Sequence, residues 1–292
     1  MFRGSIVAIV TPFKNGKVDE KKLRELVDFH VKNGTMGIVP CGTTGESPTL
    51  SFEEHDRVIE AAVDQARGRI QVIAGTGSNS TDEAIVLTKH ASKVGASASL
   101  QVSPYYNRPT QKGLYEHFKA ISECAKFPMI LYNIASRTAV NIEPETVAKL
   151  ARDCKNIVAI KEASGNIEQI SRVKQLCPPA FEILSGDDSM TLAVLSIGGT
   201  GVISVIANIV PNEVAELVTE FDKGNISNAR RMHYKLLPLI KAIFIETNPI
   251  PIKTAMGLMK MCDPGLRLPL CEMAPENLEK LKKALREYGL LK

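Results

Sequence analysis

The segment Val158-Ala159-Ile160-Lys161-Glu162-Ala163 sets a single lysine among small and apolar residues. It reads as a buried strand, and strand alternation puts Lys161 on the face shared with Ala159 and Ala163, opposite Val158 and Ile160. If the bulky pair faces outward, the amine points inward between small neighbours. Burial disfavours the charged form of an amine, and the neutral form attacks carbonyl carbon. A lysine paired with a buried carboxylate is the competing reading. Tyr132 ends the preceding apolar run, Met129-Ile130-Leu131-Tyr132, so its phenol should project into the same space. There it can carry protons to and from a carbinolamine, whereas an aromatic that only fills the interior would do no chemistry.

Three further groups stand near these two in the strand order. The turn Gly42-Thr43-Thr44-Gly45-Glu46-Ser47 offers paired hydroxyls and exposed backbone N–H groups, enough to hold a phenol and a small carboxylate, although an ordinary capped turn would look the same. Arg137, in Ser136-Arg137-Thr138, suits a bidentate grip on a carboxylate or is a plain surface charge. Tyr105-Tyr106-Asn107 adds two phenols that fit an interface patch at least as well as a catalytic role. Neither a nucleophile elbow G-x-S-x-G nor a phosphate loop ending in lysine is present, which removes serine hydrolysis and nucleotide hydrolysis.

Such residues need a scaffold that gathers strand ends at one face. Short β-branched runs alternate with amphipathic segments eight times, which predicts βα units around a parallel sheet. The expected strands are Ser5–Thr11, Met36–Cys41, Ile70–Gly75, Ser99–Ser103, Met129–Asn133, Val158–Glu162, Glu182–Ser185 and Gly201–Val205. Ser51-x-x-Glu54 and Ser80-x-x-Glu83 predict reciprocal capping boxes, and Asn33-Gly34 a helix end. At about 28 residues per unit the spacing fits a (β/α)8 barrel better than an open doubly wound sheet. The turn after the first strand, Thr11-Pro12-Phe13-Lys14, lacks the glycines of dinucleotide binding, and Gly75-Thr76-Gly77-Ser78-Asn79-Ser80 lacks the third. Residues 1–224 are therefore expected to form the catalytic barrel, and residues 225–292 a three-helix extension without catalytic content.

The 292 residues carry a net charge of +4 spread along the chain, so nothing points to nucleic acid or an anionic membrane. No apolar run approaches a membrane span or a signal-peptide core, which predicts a cytoplasmic protein. The six scattered cysteines read as free buried thiols, and the five histidines show no close ligand spacing, so no metal site is expected.

At these residues the sequence resembles the dihydrodipicolinate synthase family, within the N-acetylneuraminate lyase superfamily of class I aldolases. The likeness runs through Gly42–Ser47, Pro104–Asn107, Tyr132-Asn133, Ser136–Thr138, Ile160–Ala163, Gly186–Asp188, Gly201–Ser204 and Asn248–Pro251. The resemblance implies a Schiff base between Lys161 and pyruvate, with no separate cofactor. It implies Tyr132 as proton shuttle, bonded to Thr43, which meets Tyr106 of a neighbouring subunit in a homotetramer built from two tight dimers. Thr44 would hold the pyruvate carboxylate and Arg137 that of aspartate 4-semialdehyde, with Gly186 and Ile203 lining the site through their backbones. Residues matching Ser47, Pro48, Phe52, His55, Asn79, Glu83 and Tyr105 hold the inhibitor L-lysine in some members, with Glu83 on the α-ammonium; Glu83 completing the Ser80 capping box is the alternative. Ala135 departs from the proline common in the family, which leaves the loop presenting Arg137 less restricted. A sibling aldolase acting on a sialic or sugar keto acid would want hydroxyl partners where Arg137 stands. A non-catalytic barrel would be expected to lack Lys161 or Tyr132, and both are present.

Overall fold

In the computed structural model, which describes residues 2–292, the β-branched runs pair in parallel and the amphipathic segments cover them. In chain order the strands are β1 (Gly4–Val7), β2 (Phe13–Lys14), β3 (Lys17–Val18), β4 (Gly37–Ile38), β5 (Gln71–Gly75), β6 (Ala98–Val102), β7 (Met129–Asn133), β8 (Ile157–Glu162), β9 (Glu182–Ser185) and β10 (Gly201–Ser204). Eight of them close into a barrel in the order β1-β10-β9-β8-β7-β6-β5-β4, as the repeat spacing predicts. The helices are α1 (Glu20–Lys32), α2 (Phe52–Ala66), α3 (Thr81–Lys93), α4 (Gln111–Cys124), α5 (Ala135–Thr138), α6 (Pro144–Asp153), α7 (Ile167–Leu176), α8 (Thr191–Ser196), α9 (Pro211–Asp222), α10 (Ile226–Ile243), α11 (Ile250–Leu258) and α12 (Pro275–Tyr288).

The first strand stops at Val7, not Thr11, because the Asn208 side chain takes over from the ladder. Its Nδ2 donates to Ala8 O at 2.8 Å and its Oδ1 accepts from Val10 N at 3.3 Å. The chain then forms the small antiparallel hairpin β2-β3, not expected from the sequence, although Asn15-Gly16 with φ of 51° and 74° is a favoured two-residue turn. Of the two expected capping boxes only one closes. Ser51 and Glu54 bond reciprocally, whereas Ser80 accepts from Glu83 N but Glu83 turns its carboxylate to the Ser78 hydroxyl.

Two apolar layers result. Ile6, Ile73, Leu100, Ile130, Ala159 and Ile203 fill the barrel, while Leu131, Ile160 and Ile183 face the outer helices. Val158 breaks the expected alternation. The β7–β8 register shifts between Met129 and Ile130, pairing Ile130 with Ala159, and Val158 packs against the barrel interior instead of joining Ile160 outside. The C-terminal helices share one apolar cluster with α1, α2 and α9, through residues such as Leu239, Met256 and Leu285. Four cysteines are buried and Cys124 is half-buried, as expected of free thiols, but Cys271 is exposed.

Two histidines hold the outer packing at a cost in acid. His30 bonds Thr35 Oγ1 at 3.1 Å and His117 bonds Thr81 Oγ1 at 2.9 Å, and the second ring nitrogen of each is buried without a partner. Burial pushes them from the ordinary 6.5 down to about 3 and about 4. The unfolded chain therefore binds protons below pH 6.5 that the folded chain refuses. Stability should be unaffected by this pair above pH 7 and fall as pH drops through 6 toward 4, by about 1.4 kcal/mol per histidine per pH unit. Urea unfolding at pH 7 and pH 5 should show a smaller acid loss in His117→Gln than in the parent chain, and an equal loss would contradict the assignment.

Candidate active site

Register brings the chemistry together. Tyr132 at the end of β7 is paired with Lys161 on β8, so both side chains leave the sheet at one level of the barrel mouth. Each is 5% exposed, and the lysine Nζ lies 4.2 Å from the centroid of the Tyr132 ring. Among the described residues Lys161 has no carboxylate partner and no hydrogen bond, so the structural ion pair that could have explained it is not formed. That role belongs to Lys253, whose Nζ meets Glu46 Oε1 at 2.6 Å with both side chains fully buried. The neighbour Glu162 points the other way, accepting from Ser164 N at 2.8 Å and Asn133 Nδ2 at 3.2 Å. Burial raises its carboxyl above the ordinary carboxylate range.

Gly186, just past β9, is packed onto the lysine stem. A Cβ there would lie 2.7 Å from Ala163 Cβ and 3.1 Å from Lys161 Cγ, so a larger residue would push on Ala163 and crowd the lysine stem.

A cavity of about 610 Å³ opens above the lysine. Lys161, Tyr132, Thr43, Thr44, Arg137 and Gly186 line it, and so do Ser47, Pro48, Phe52, His55, Glu83 and Tyr105. Three expected residues do not. Ile203 is wholly buried in the barrel, Tyr106 is 92% exposed in a left-handed conformation, and Asn79 spends its amide on Tyr105 O at 3.2 Å. The hydroxyls of Tyr132 and Thr43 make no hydrogen bond to each other in the single chain.

Thr44 is 1% exposed, and its Oγ1 accepts from Asn248 Nδ2 at 2.9 Å. A hydroxyl whose oxygen is so engaged keeps its proton to donate, which suits a carboxylate. Arg137, exposed on the rim within α5, donates from Nη2 to the Asn248 carbonyl at 3.0 Å and lines the cavity, its other donors free of partners among the described residues. Ala135 is the first residue of that short helix, a position that also takes proline. Asn248 thus serves both groups from the C-terminal segment, which corrects the expectation that the extension carries nothing for the site. Its Asn-Pro-Ile-Pro setting was visible in the sequence, but no spacing connects it with Thr44 and Arg137, more than 100 positions earlier.

The Glu83 carboxylate faces the cavity and is held by the Ser78 hydroxyl. His55 donates from Nε2 to Gly75 O at 2.9 Å, and burial holds the ring below its ordinary value, hence neutral with Nδ1 as acceptor.

The sequence model of the dihydrodipicolinate synthetase family matches residues 1–288. The chain belongs to that family. It is 58% identical over 292 residues to the 4-hydroxy-tetrahydrodipicolinate synthase of Endomicrobium trichonymphae, with both chains wholly covered. The crystal structure of dihydrodipicolinate synthase from Aquifex aeolicus superposes with a TM-score of 0.98 at 55% identity, covering 99% of each chain. The chloride-inhibited enzyme of Acinetobacter baumannii complexed with pyruvate matches at a TM-score of 0.97 and 44% identity over the whole of both chains. The enzyme of Cyanidioschyzon merolae with lysine bound matches at 0.96 and 43% over 99% of each. Among the described residues of this chain, no helix is long and apolar enough to cross a membrane.

Proposed function

We propose that this family member is a lyase of the class I aldolase type that condenses pyruvate with L-aspartate 4-semialdehyde to 4-hydroxy-tetrahydrodipicolinate, a step of lysine and diaminopimelate biosynthesis. The observation that carries the reading is Lys161, a buried amine with no carboxylate partner, beside Tyr132 in a cavity that also presents Thr44 and Arg137. The amine adds to the pyruvate ketone, and loss of water gives the imine. Loss of a methyl proton gives the enamine, whose carbon attacks the aldehyde. The substrate's own amino group then adds to the imine carbon and expels Lys161, closing the ring. Tyr132 moves the protons, Thr44 donates to the pyruvate carboxylate, and Arg137 receives the second carboxylate. These steps ask for no cofactor. A sugar keto acid is disfavoured because Arg137, a cation, faces the place where such a substrate offers hydroxyls. Purified protein should form product from pyruvate and the semialdehyde and leave N-acetylneuraminate uncleaved; the reverse pattern would overturn the reading.

Two features of the resemblance extend it. Tyr106, exposed and outside its own chain's cavity, fits a residue given to a neighbouring subunit, in a tetramer of two tight dimers in the cytoplasm. L-lysine fits the far end of the cavity, its α-ammonium on Glu83, its carboxylate near Tyr105 and its side-chain end on the neutral His55. With Glu83 freed from the capping box, its carboxylate has a ligand to meet. Millimolar L-lysine should inhibit partially, with a coupling of about 1–3 kcal/mol. Glu83→Ala should lose that inhibition while keeping activity, and inhibition undiminished in this variant would remove the site.

A further inference from the structure

The turn carrying Thr43 and Thr44 is anchored from behind, on the side away from the cavity. Within the turn, Glu46 N donates to Thr43 O at 3.1 Å and Gly45 N to Gly42 O at 3.1 Å, while the Thr11 hydroxyl holds Gly45 O at 2.7 Å. Glu46 itself stands in the left-handed region at φ 55°, a conformation unfavourable for an L-residue. Its carboxylate is wholly used by the C-terminal segment. Oε1 accepts from Lys253 Nζ at 2.6 Å and Oε2 from Arg267 N at 3.1 Å. The same ammonium donates to Thr11 O at 3.0 Å and lies 4.2 Å from the Phe13 ring centroid, with the Arg267 guanidinium 4.4 Å from that centroid. Lys253 lies on α11, and Asn248, two residues before that helix begins, donates to Thr44 Oγ1. One helix entry therefore grips the hydroxyl turn twice, at Thr44 and at Glu46.

We propose that Glu46 and Lys253 are positioning residues for the reaction, a buried ion pair that fixes the Thr43-Thr44 turn against Asn248 so that the Thr44 hydroxyl meets the substrate carboxylate. Neither Glu46 nor Lys253 lines the cavity, and neither is bonded to Lys161. A fully desolvated ion pair adds little to folding beyond a well-packed apolar pair of the same volume, so what it contributes is geometry. This inference rests on the assignment of Thr44 to pyruvate, and the experiment separates the two.

Parent chain and the double variants Glu46→Met/Lys253→Met and Glu46→Gln/Lys253→Met, none leaving an unpaired buried charge, are compared by thermal unfolding, by subunit number and by steady-state kinetics with saturating semialdehyde. Borohydride trapping at subsaturating pyruvate reports imine formation directly. The expected result is a folded variant of unchanged subunit number whose pyruvate KM rises about tenfold or more, the scale of loss when a binding group is displaced by an ångström. Its trapped imine should fall in proportion and recover at high pyruvate. A folded variant with the parent's pyruvate KM would overturn the proposal, because the pair would then be structural only. Failure of both variants to fold would overturn it too, since the pair is assigned to positioning and not to stability. Absence of trapped imine in the parent chain would instead sink the functional reading itself.

Discussion

Lys161→Ala should abolish the borohydride-trapped adduct with pyruvate and lower kcat by at least ~10³-fold, because the covalent step has no other amine to use. The expectation rests on placement. Lys161 is 5% exposed and lines the cavity, no acidic partner holds it, and Gly186 lies against its stem. Lys253 cannot replace it, being bound to Glu46 and Thr11 O behind the turn. In the parent chain, reduction in the presence of pyruvate should add mass to the single peptide containing Lys161. Labelling of a different lysine, or of none, would end the imine mechanism for this chain.

The second large effect is expected at the rim. Arg137→Ala should reduce kcat/KM for aspartate 4-semialdehyde by about 10–10²-fold, the worth of a charge-assisted bond of about 1.5–3 kcal/mol, and leave the pyruvate imine intact. Arg137→Lys should recover only part of the loss, since an ammonium cannot bond both the Asn248 carbonyl and a carboxylate in the guanidinium's planar arrangement. Loss of imine formation with a normal semialdehyde KM would place Arg137 at the pyruvate end instead.

The groups legible in the sequence are those whose partners are a strand away. Tyr132 and Lys161 close neighbouring strands, and alternation alone aims both at the mouth. The barrel was legible for the same reason, since each βα unit carries its own apolar pattern. What pattern could not supply is register and long-range pairing. The shift at Met129/Ile130 turns Val158 inward and depends on two strands at once. Asn248, Glu46, Lys253 and Arg267 gain their meaning from contacts more than 100 residues apart, which leave no periodicity to read. The Ser80-x-x-Glu83 pattern misled because Ser78 intervenes: its hydroxyl donates to the Glu83 carboxylate and accepts from Ser80 N, the donor that the box would have used.

The grip on the hydroxyl turn comes from residues made late. β10 closes the barrel with residues 201–204, yet Asn248, Lys253 and Arg267 follow it in the chain. Synthesis runs from the N-terminus, so a growing chain can acquire its sheet while Glu46 still has an unanswered charge and Arg137 no carbonyl to rest on. An uncompensated carboxylate resists burial, and the turn will stay hydrated until the last quarter of the chain arrives. A chain ended before residue 248 would therefore carry Lys161 and Tyr132 on closed strands while its hydroxyl turn lacked every one of these supports.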